Sequence, residues 1–134
     1  MSAEQASAVD LKKLEAFLQS ALYSRMERSA QVHREFRFTV SLPAKDIREN
    51  LPPPLSQEQV VLQGAIDCAF LEEDDYVIVD YKTDRIKDPK ALSQRYHKQL
   101  ELYARALFEC TGVRVKECVL YSFYLGREIP LQLS

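Results

Sequence analysis

Between residues 10 and 27, DLKKLEAFLQSALYSRME, the apolar positions Leu11, Leu14, Leu18, Ala21 and Leu22 recur at helical spacing behind Asp10, a side chain suited to cap a helix start. The spacing predicts one amphipathic helix packed on a sheet. Residues 33–40, HREFRFTV, alternate instead, with Arg34, Phe36, Phe38 and Val40 on one face and His33, Glu35, Arg37 and Thr39 on the other, the pattern of a half-buried or edge strand. SLPAKDIRENLPPPLSQEQ follows, and its three consecutive prolines predict a connecting loop without regular structure. Residues 59–71 and 75–82 are β-rich runs around an acidic turn, which reads as a hairpin. DPKALSQRYHKQLELYARALFECTG predicts a long helix with Asp88 as cap, Pro89 as first helical residue, Gly112 at its end and an apolar stripe of Leu92, Tyr96, Leu100, Tyr103 and Leu107. Another β-rich run covers 115–125, and a short last strand follows Gly126. Helix, strand, loop, hairpin, helix and two strands in that order imply an α/β sandwich around a mixed central sheet flanked by helices.

A chain of 134 residues reads as a single domain, with room for one hydrophobic core but small for a complete enzyme. No apolar run approaches the ~18 residues that cross a bilayer, and MSAEQASAVD lacks the basic start and apolar core of a signal peptide. Cys68, Cys110 and Cys118 are odd in number and without CxxC spacing, so they read as small core residues in a reducing cytoplasm. The net charge of −2 excludes a uniformly basic nucleic-acid binder. Its distribution is uneven. Residues 71–80 hold five acids (Glu72, Glu73, Asp74, Asp75, Asp80) and no base, whereas residues 82–98 hold six bases (Lys82, Arg85, Lys87, Lys90, Arg95, Lys98) against Asp84 and Asp88. An acidic focus beside a basic stretch can hold a cation next to a phosphate backbone; a solvated turn followed by a solvated helix face gives the same charges.

The hairpin GAIDCAFLEEDDYVIVDYKTD carries the candidate chemistry. Strand alternation puts Asp80 and Lys82 on one face and Tyr81 on the other, and groups Asp67 with Val61, Gln63, Ala65 and Ala69. With the turn centred between Glu73 and Asp74, Leu71 opposes Tyr76, Ala69 opposes Ile78 and Asp67 opposes Asp80, with Cβ atoms ~5 Å apart. Two like charges so placed share a proton or share a divalent cation. Mg²⁺ suits one or two carboxylates plus waters and substrate phosphate. Lys82, roughly 6–7 Å along the same face, is placed to orient or deprotonate a water or to neutralise charge at phosphorus. A solvent-exposed hairpin with Lys82 as plain salt-bridge partner remains the alternative.

At this point the residues resemble a known family. GAID followed by DYK resembles the core of the PD-(D/E)xK nuclease superfamily, with Ile66 where the name-giving Pro would stand, and QRYHKQLELYARAL, with Gln99 and Tyr103 spaced as QxxxY, is similar to its RecB-like branch. The ordered motifs over residues 30–127 are similar to the C-terminal nuclease domain of the AddA subunits of bacterial AddAB helicase–nucleases. The resemblance implies a restriction-endonuclease-like fold and Mg²⁺-dependent cleavage of DNA, with Mn²⁺ as substitute. It implies Asp67, Asp80 and the carbonyl of Tyr81 as metal ligands, Lys82 as catalytic lysine, Glu35 as a further acidic residue of the site, and Gln99 and Tyr103 lining the site or meeting DNA, with a single strand along Arg85–Lys98, Arg95 included. For Gln99 and Tyr103 the bland alternative is a packed tyrosine whose hydroxyl bonds the glutamine.

The resemblance also sets expectations about context. The partners would be DNA, as a single strand delivered by a helicase, and the second subunit of a bacterial cytoplasmic complex that processes double-strand breaks. No GxxxxGK[ST] phosphate loop occurs, so ATP use would belong to the parent helicase. Related domains carry a histidine ligand on a helix upstream of the first strand. Neither His33 nor His97 fits that place, so residues 1–134 read as a nuclease domain cut from a larger chain, its upstream helix missing and its activity weak. The rivals are a non-catalytic assembly or DNA-binding module of the same fold, and a stand-alone nuclease.

Overall fold

The computed structural model describes residues 10–48 and 50–131. The single N-terminal helix expected from the apolar spacing is two helices, α1 (Leu11–Leu18) and α2 (Ala21–Arg28). Serine at position 20 causes the break: its hydroxyl donates to the Phe17 carbonyl at 2.6 Å and accepts from the Tyr23 amide at 3.1 Å, ending one helix and capping the next. Strand β1 (Val32–Pro43) runs longer than its alternation predicted. The proline-rich connection contains two one-turn helices, α3 (Ala44–Ile47) and α4 (Pro53–Ser56). Pro52, Pro53 and Pro54 occupy the cap and first positions of α4, where a missing N–H leaves no helical bond unmade, so the expectation of no regular structure was wrong there. Strands β2 (Gln59–Glu72) and β3 (Asp75–Lys82) form the expected hairpin, with Glu73 and Asp74 both at positive φ in its turn. Helix α5 (Pro89–Thr111) begins at the Asp88 cap and ends at Gly112, which is left-handed (φ 74°). Strands β4 (Val115–Ser122) and β5 (Arg127–Leu131) complete the chain.

The sheet order is β1-β2-β3-β4-β5, antiparallel throughout except for the parallel β3–β4 pair. That pair is joined through α5, as a parallel crossover requires. One face packs under α5, with Ile78, Leu92, Leu100, Leu107 and Leu120 fully buried; the other packs under α1 and α2, with Phe17, Leu22, Met26, Phe70, Val79 and Tyr121. Cys68 and Cys118 are core residues as expected, but Cys110 lies exposed near the end of α5.

Strict alternation fails at one place. Leu62 and Ile66 of β2 face α5, but so do Ala69 and Leu71, while Cys68 and Phe70 join the opposite core. The switch of face falls at Asp67. In β1, Phe36 and Phe38 pack toward α5, as does His33 through Tyr76, so the switch falls at Glu35, which is left-handed at φ 57°. The ladder steps from Arg34–Cys68 to Phe36–Ile66 across this double irregularity. Asp67 therefore does not share a face with Val61, Gln63 and Ala65, which are exposed on the far side; of the predicted group only Ala69 lies toward α5.

Candidate active site

Beyond the Cys68–Val79 pair, β2 leaves the hairpin ladder, although the expected register holds up to that point. Asp67 stands where the strands part. Its Oδ2 accepts the Tyr81 amide at 2.9 Å, taking the place of the missing β2 carbonyl. Lys82 turns its own carbonyl the other way, to the residue just past β4, where the Phe123 amide donates at 3.0 Å. Alternation then directs the Tyr81 amide and carbonyl toward Asp67. A gap in the pairing thus gathers two carboxylates and a main-chain carbonyl at the C-terminal end of β3.

Asp80 is 4% exposed, on the face covered by α5. The Lys82 ammonium lies 2.9 Å from its Oδ2, with side chains 15% and 6% exposed. This is a charge contact without hydrogen-bond geometry, for Oδ2 has no hydrogen-bond partner. Burial first, and then the neighbouring Asp67 carboxylate, push the Asp80 carboxyl well above the ordinary carboxylate range, against the pull of Lys82. Of the two readings left open for this hairpin, the solvated one fails at Asp80, which is buried, while Asp67 and Lys82 are half-buried beside it. The ion pair between Lys82 and Asp80 that belonged to it is nevertheless present.

Helix α5 supplies the roof. Gln99 Nε2 donates to the Tyr103 hydroxyl at 3.1 Å, the arrangement of the bland alternative, and Gln99 Oε1 is buried without a partner. The Tyr103 ring sits edge-on to Phe38 at 5.6 Å, and burial and the Asp80 and Asp67 carboxylates raise its pKa. Gln99 and Tyr103 therefore belong to the same side of the sheet as the carboxylates. Gly64 makes the seat for this layer, since a Cβ there would lie 2.7 Å from the Phe38 ring. Arg95 reaches outward, its side chain 62% exposed, with Asp84 at 3.7 Å. Glu35 is not gathered in: its side chain is 63% exposed and pairs with Arg37 at 3.0 Å. Both histidines lie elsewhere, His33 beside Tyr76 and His97 beside Glu101.

In the sequence Tyr96 stands out only as part of an apolar stripe. The structure gives it more: its ring lies 3.8 Å from the Lys82 ammonium while its hydroxyl donates to Asp84 at 2.8 Å. The available signal was its place one turn before Gln99 on the same helix face.

The chain matches the PD-(D/E)XK nuclease superfamily over residues 2–129. It is 41% identical over 128 residues to an ATP-dependent helicase/nuclease subunit of Thermoanaerobacter sp. (strain X514), covering 94% of this chain and 10% of that protein. The corresponding helicase/nuclease subunit of Ruminiclostridium cellulolyticum is 40% identical over 130 residues (95% and 10% covered), and that of Clostridium perfringens (strain SM101) 39% over 138 residues (98% and 11%). The chain thus spans about a tenth of the length of these curated relatives. Among solved structures, that of SSO0001 is alike in fold, with a TM-score of 0.51 at 18% identity over 98% of this chain and 55% of the other.

Proposed function

The chain belongs to the PD-(D/E)XK nuclease superfamily, and on that premise we propose that it hydrolyses DNA phosphodiesters with the help of Mg²⁺, as the nuclease part of a helicase–nuclease. The observation that carries this reading is the meeting of Asp67, Asp80 and Lys82 where β2 parts from β3. The donor set fits a hard divalent ion: two carboxylates, one with an oxygen lacking any hydrogen bond, and the Tyr81 carbonyl directed the same way. When bound, Mg²⁺ supplies Lewis-acid polarisation of the scissile phosphate and a more acidic water, and Mn²⁺ can substitute.

The remaining work falls to the protein. Lys82 offers an ammonium beside Asp80 to hold the attacking water or steady charge on the phosphate oxygens. Gln99 and Tyr103 close the site from α5, and the exposed Arg95 and its basic neighbours on the stretch from Arg85 to Lys98 give a path for one DNA strand. Within the longer protein, strand delivery and ATP use would belong to the helicase. A second subunit, the bacterial cytoplasm and double-strand break processing complete the proposed setting.

A second reading has one observation in its favour: the Lys82 ammonium lies 2.9 Å from Asp80 Oδ2, and an ion pair so placed competes with a metal ion for that carboxylate, which suits a module that holds DNA without cutting it. End-labelled single-stranded and duplex DNA incubated with Mg²⁺ separates the two. Cleavage by the wild type that falls at least about a hundredfold in Asp80→Ala and Lys82→Ala, with DNA affinity retained, supports the nuclease. Binding without cleavage under all conditions supports the module.

A further inference from the structure

Lys82 sits in an ambiguous electrostatic position. Aspartates lie two residues before it and two after it, in the stretch DYKTD, and a four-carbon stem lets one ammonium visit either. The structure resolves the ambiguity: Lys82 meets Asp80 at 2.9 Å, while Asp84 is occupied otherwise. The Tyr96 hydroxyl donates to Asp84 Oδ2 at 2.8 Å, and Arg95 approaches the same oxygen at 3.7 Å. The Tyr96 ring also lies under the lysine, 3.8 Å from Nζ to its centroid, well inside the range of cation–π attraction.

We infer that Tyr96 is a positioning residue for Lys82, its ring seating the ammonium beside Asp80 and its hydroxyl keeping Asp84 from drawing the ammonium away. The inference rests on the nuclease reading for its catalytic consequence, but not for its geometry. The seat is rigid because the ring is held at both ends: it grows from α5 within the run that buries Leu92 and Leu100, and its oxygen is tied to Asp84. One tyrosine thus fixes the helix, the lysine and the loop after β3 relative to one another. Its two contributions are separable by substitution. Tyr96→Leu removes both, whereas Tyr96→Phe keeps the ring and releases Asp84.

The test uses the whole chain with two readouts. In NMR spectra, the Lys82 Hε resonances of the metal-free wild type should be displaced upfield by the Tyr96 ring current, a displacement lost in Tyr96→Leu. It should be reduced in Tyr96→Phe, and restored when Asp84→Asn is added to that variant. In the cleavage assay with Mg²⁺, Tyr96→Phe should lower kcat about tenfold with KM for DNA unchanged, and Asp84→Asn in that background should recover most of the loss. Mn²⁺ affinity by calorimetry should stay within about twofold of wild type in both variants, since the ring holds no metal ligand. A wild-type spectrum without the upfield shift overturns the inference. So does a Tyr96→Phe defect that Asp84→Asn fails to relieve in either readout, for that marks a purely structural tyrosine. If the shifts behave as expected but no variant, wild type included, cleaves DNA, the seat stands and the nuclease reading falls.

Discussion

Asp80→Asn should stabilise the metal-free protein while destroying its chemistry. The Asp80 carboxyl is raised from 3.8 to about 7 by burial and by Asp67, and each pKa unit corresponds to about 1.4 kcal/mol between the protonation states. The ionised form at pH 7.5 therefore costs the fold about 4 kcal/mol at most. The attraction to Lys82 opposes that shift and is already contained in it, and relaxation and water around a buried charge reduce the realised cost to about 1–3 kcal/mol. The net gain is about 1–3 kcal/mol, or about 3–10 °C in Tm for a chain of this size. Its sign with pH follows from linkage. The native state holds a proton that the unfolded state releases, so the wild type loses stability as pH rises from about 4 to about 7. The asparagine variant lacks that slope. Melting followed by calorimetry in EDTA should show coincident transitions near pH 4 and a gap that opens up to pH 7.5. A variant that melts below wild type at pH 7.5, or a gap independent of pH, would refute the reasoning.

Other consequences are simpler to check. Glu35→Gly should raise stability by about 1 kcal/mol in urea unfolding, because a left-handed φ of 57° strains any residue with a Cβ. Gly64→Ala should cost about 1–3 kcal/mol and broaden the Tyr103 ring resonances, since the added Cβ meets the Phe38 ring that Tyr103 packs on. Arg25, its strongest influence, and Lys116 hold Glu72 down at about 2; the wild type should lose that contribution as pH falls from about 4.5 to 2, less so in high salt, and Glu72→Gln should lack this part of the acid transition. A thiol reagent should modify Cys110 quickly and leave Cys68 and Cys118 protected, as burial pushes those thiols up to about 11 and about 12.

Much of this was legible because it depends on local pattern. The long helix was bracketed by Asp88-Pro89 and Gly112, and the hairpin register followed from the position of its acidic turn. What escaped depends on single side chains competing with that pattern. Ser20 split a helix whose apolar spacing runs on without interruption, and three prolines began a helical turn because its first positions need no amide. The change of face at Glu35 and Asp67 could not be read from alternation, which assumes that every residue takes one step of the pleat. Yet that departure is what sets Asp67 against Tyr81 and Asp80. A pair placed opposite by strict register is instead brought together by a break in the strands. Tyr96 escaped for another reason: a tyrosine in an apolar stripe looks the same whether its ring meets leucine or an ammonium.

Everything proposed for the chemistry depends on Asp67 and Asp80 forming a metal centre. Calorimetric titration of Mn²⁺ into the wild type, Asp67→Ala and Asp80→Ala decides whether they do. Saturable binding is expected in the wild type and should vanish in both variants while their folds, followed by circular dichroism, persist. Absence of binding in the wild type at millimolar Mn²⁺, or binding that survives both substitutions, would contradict the metal centre.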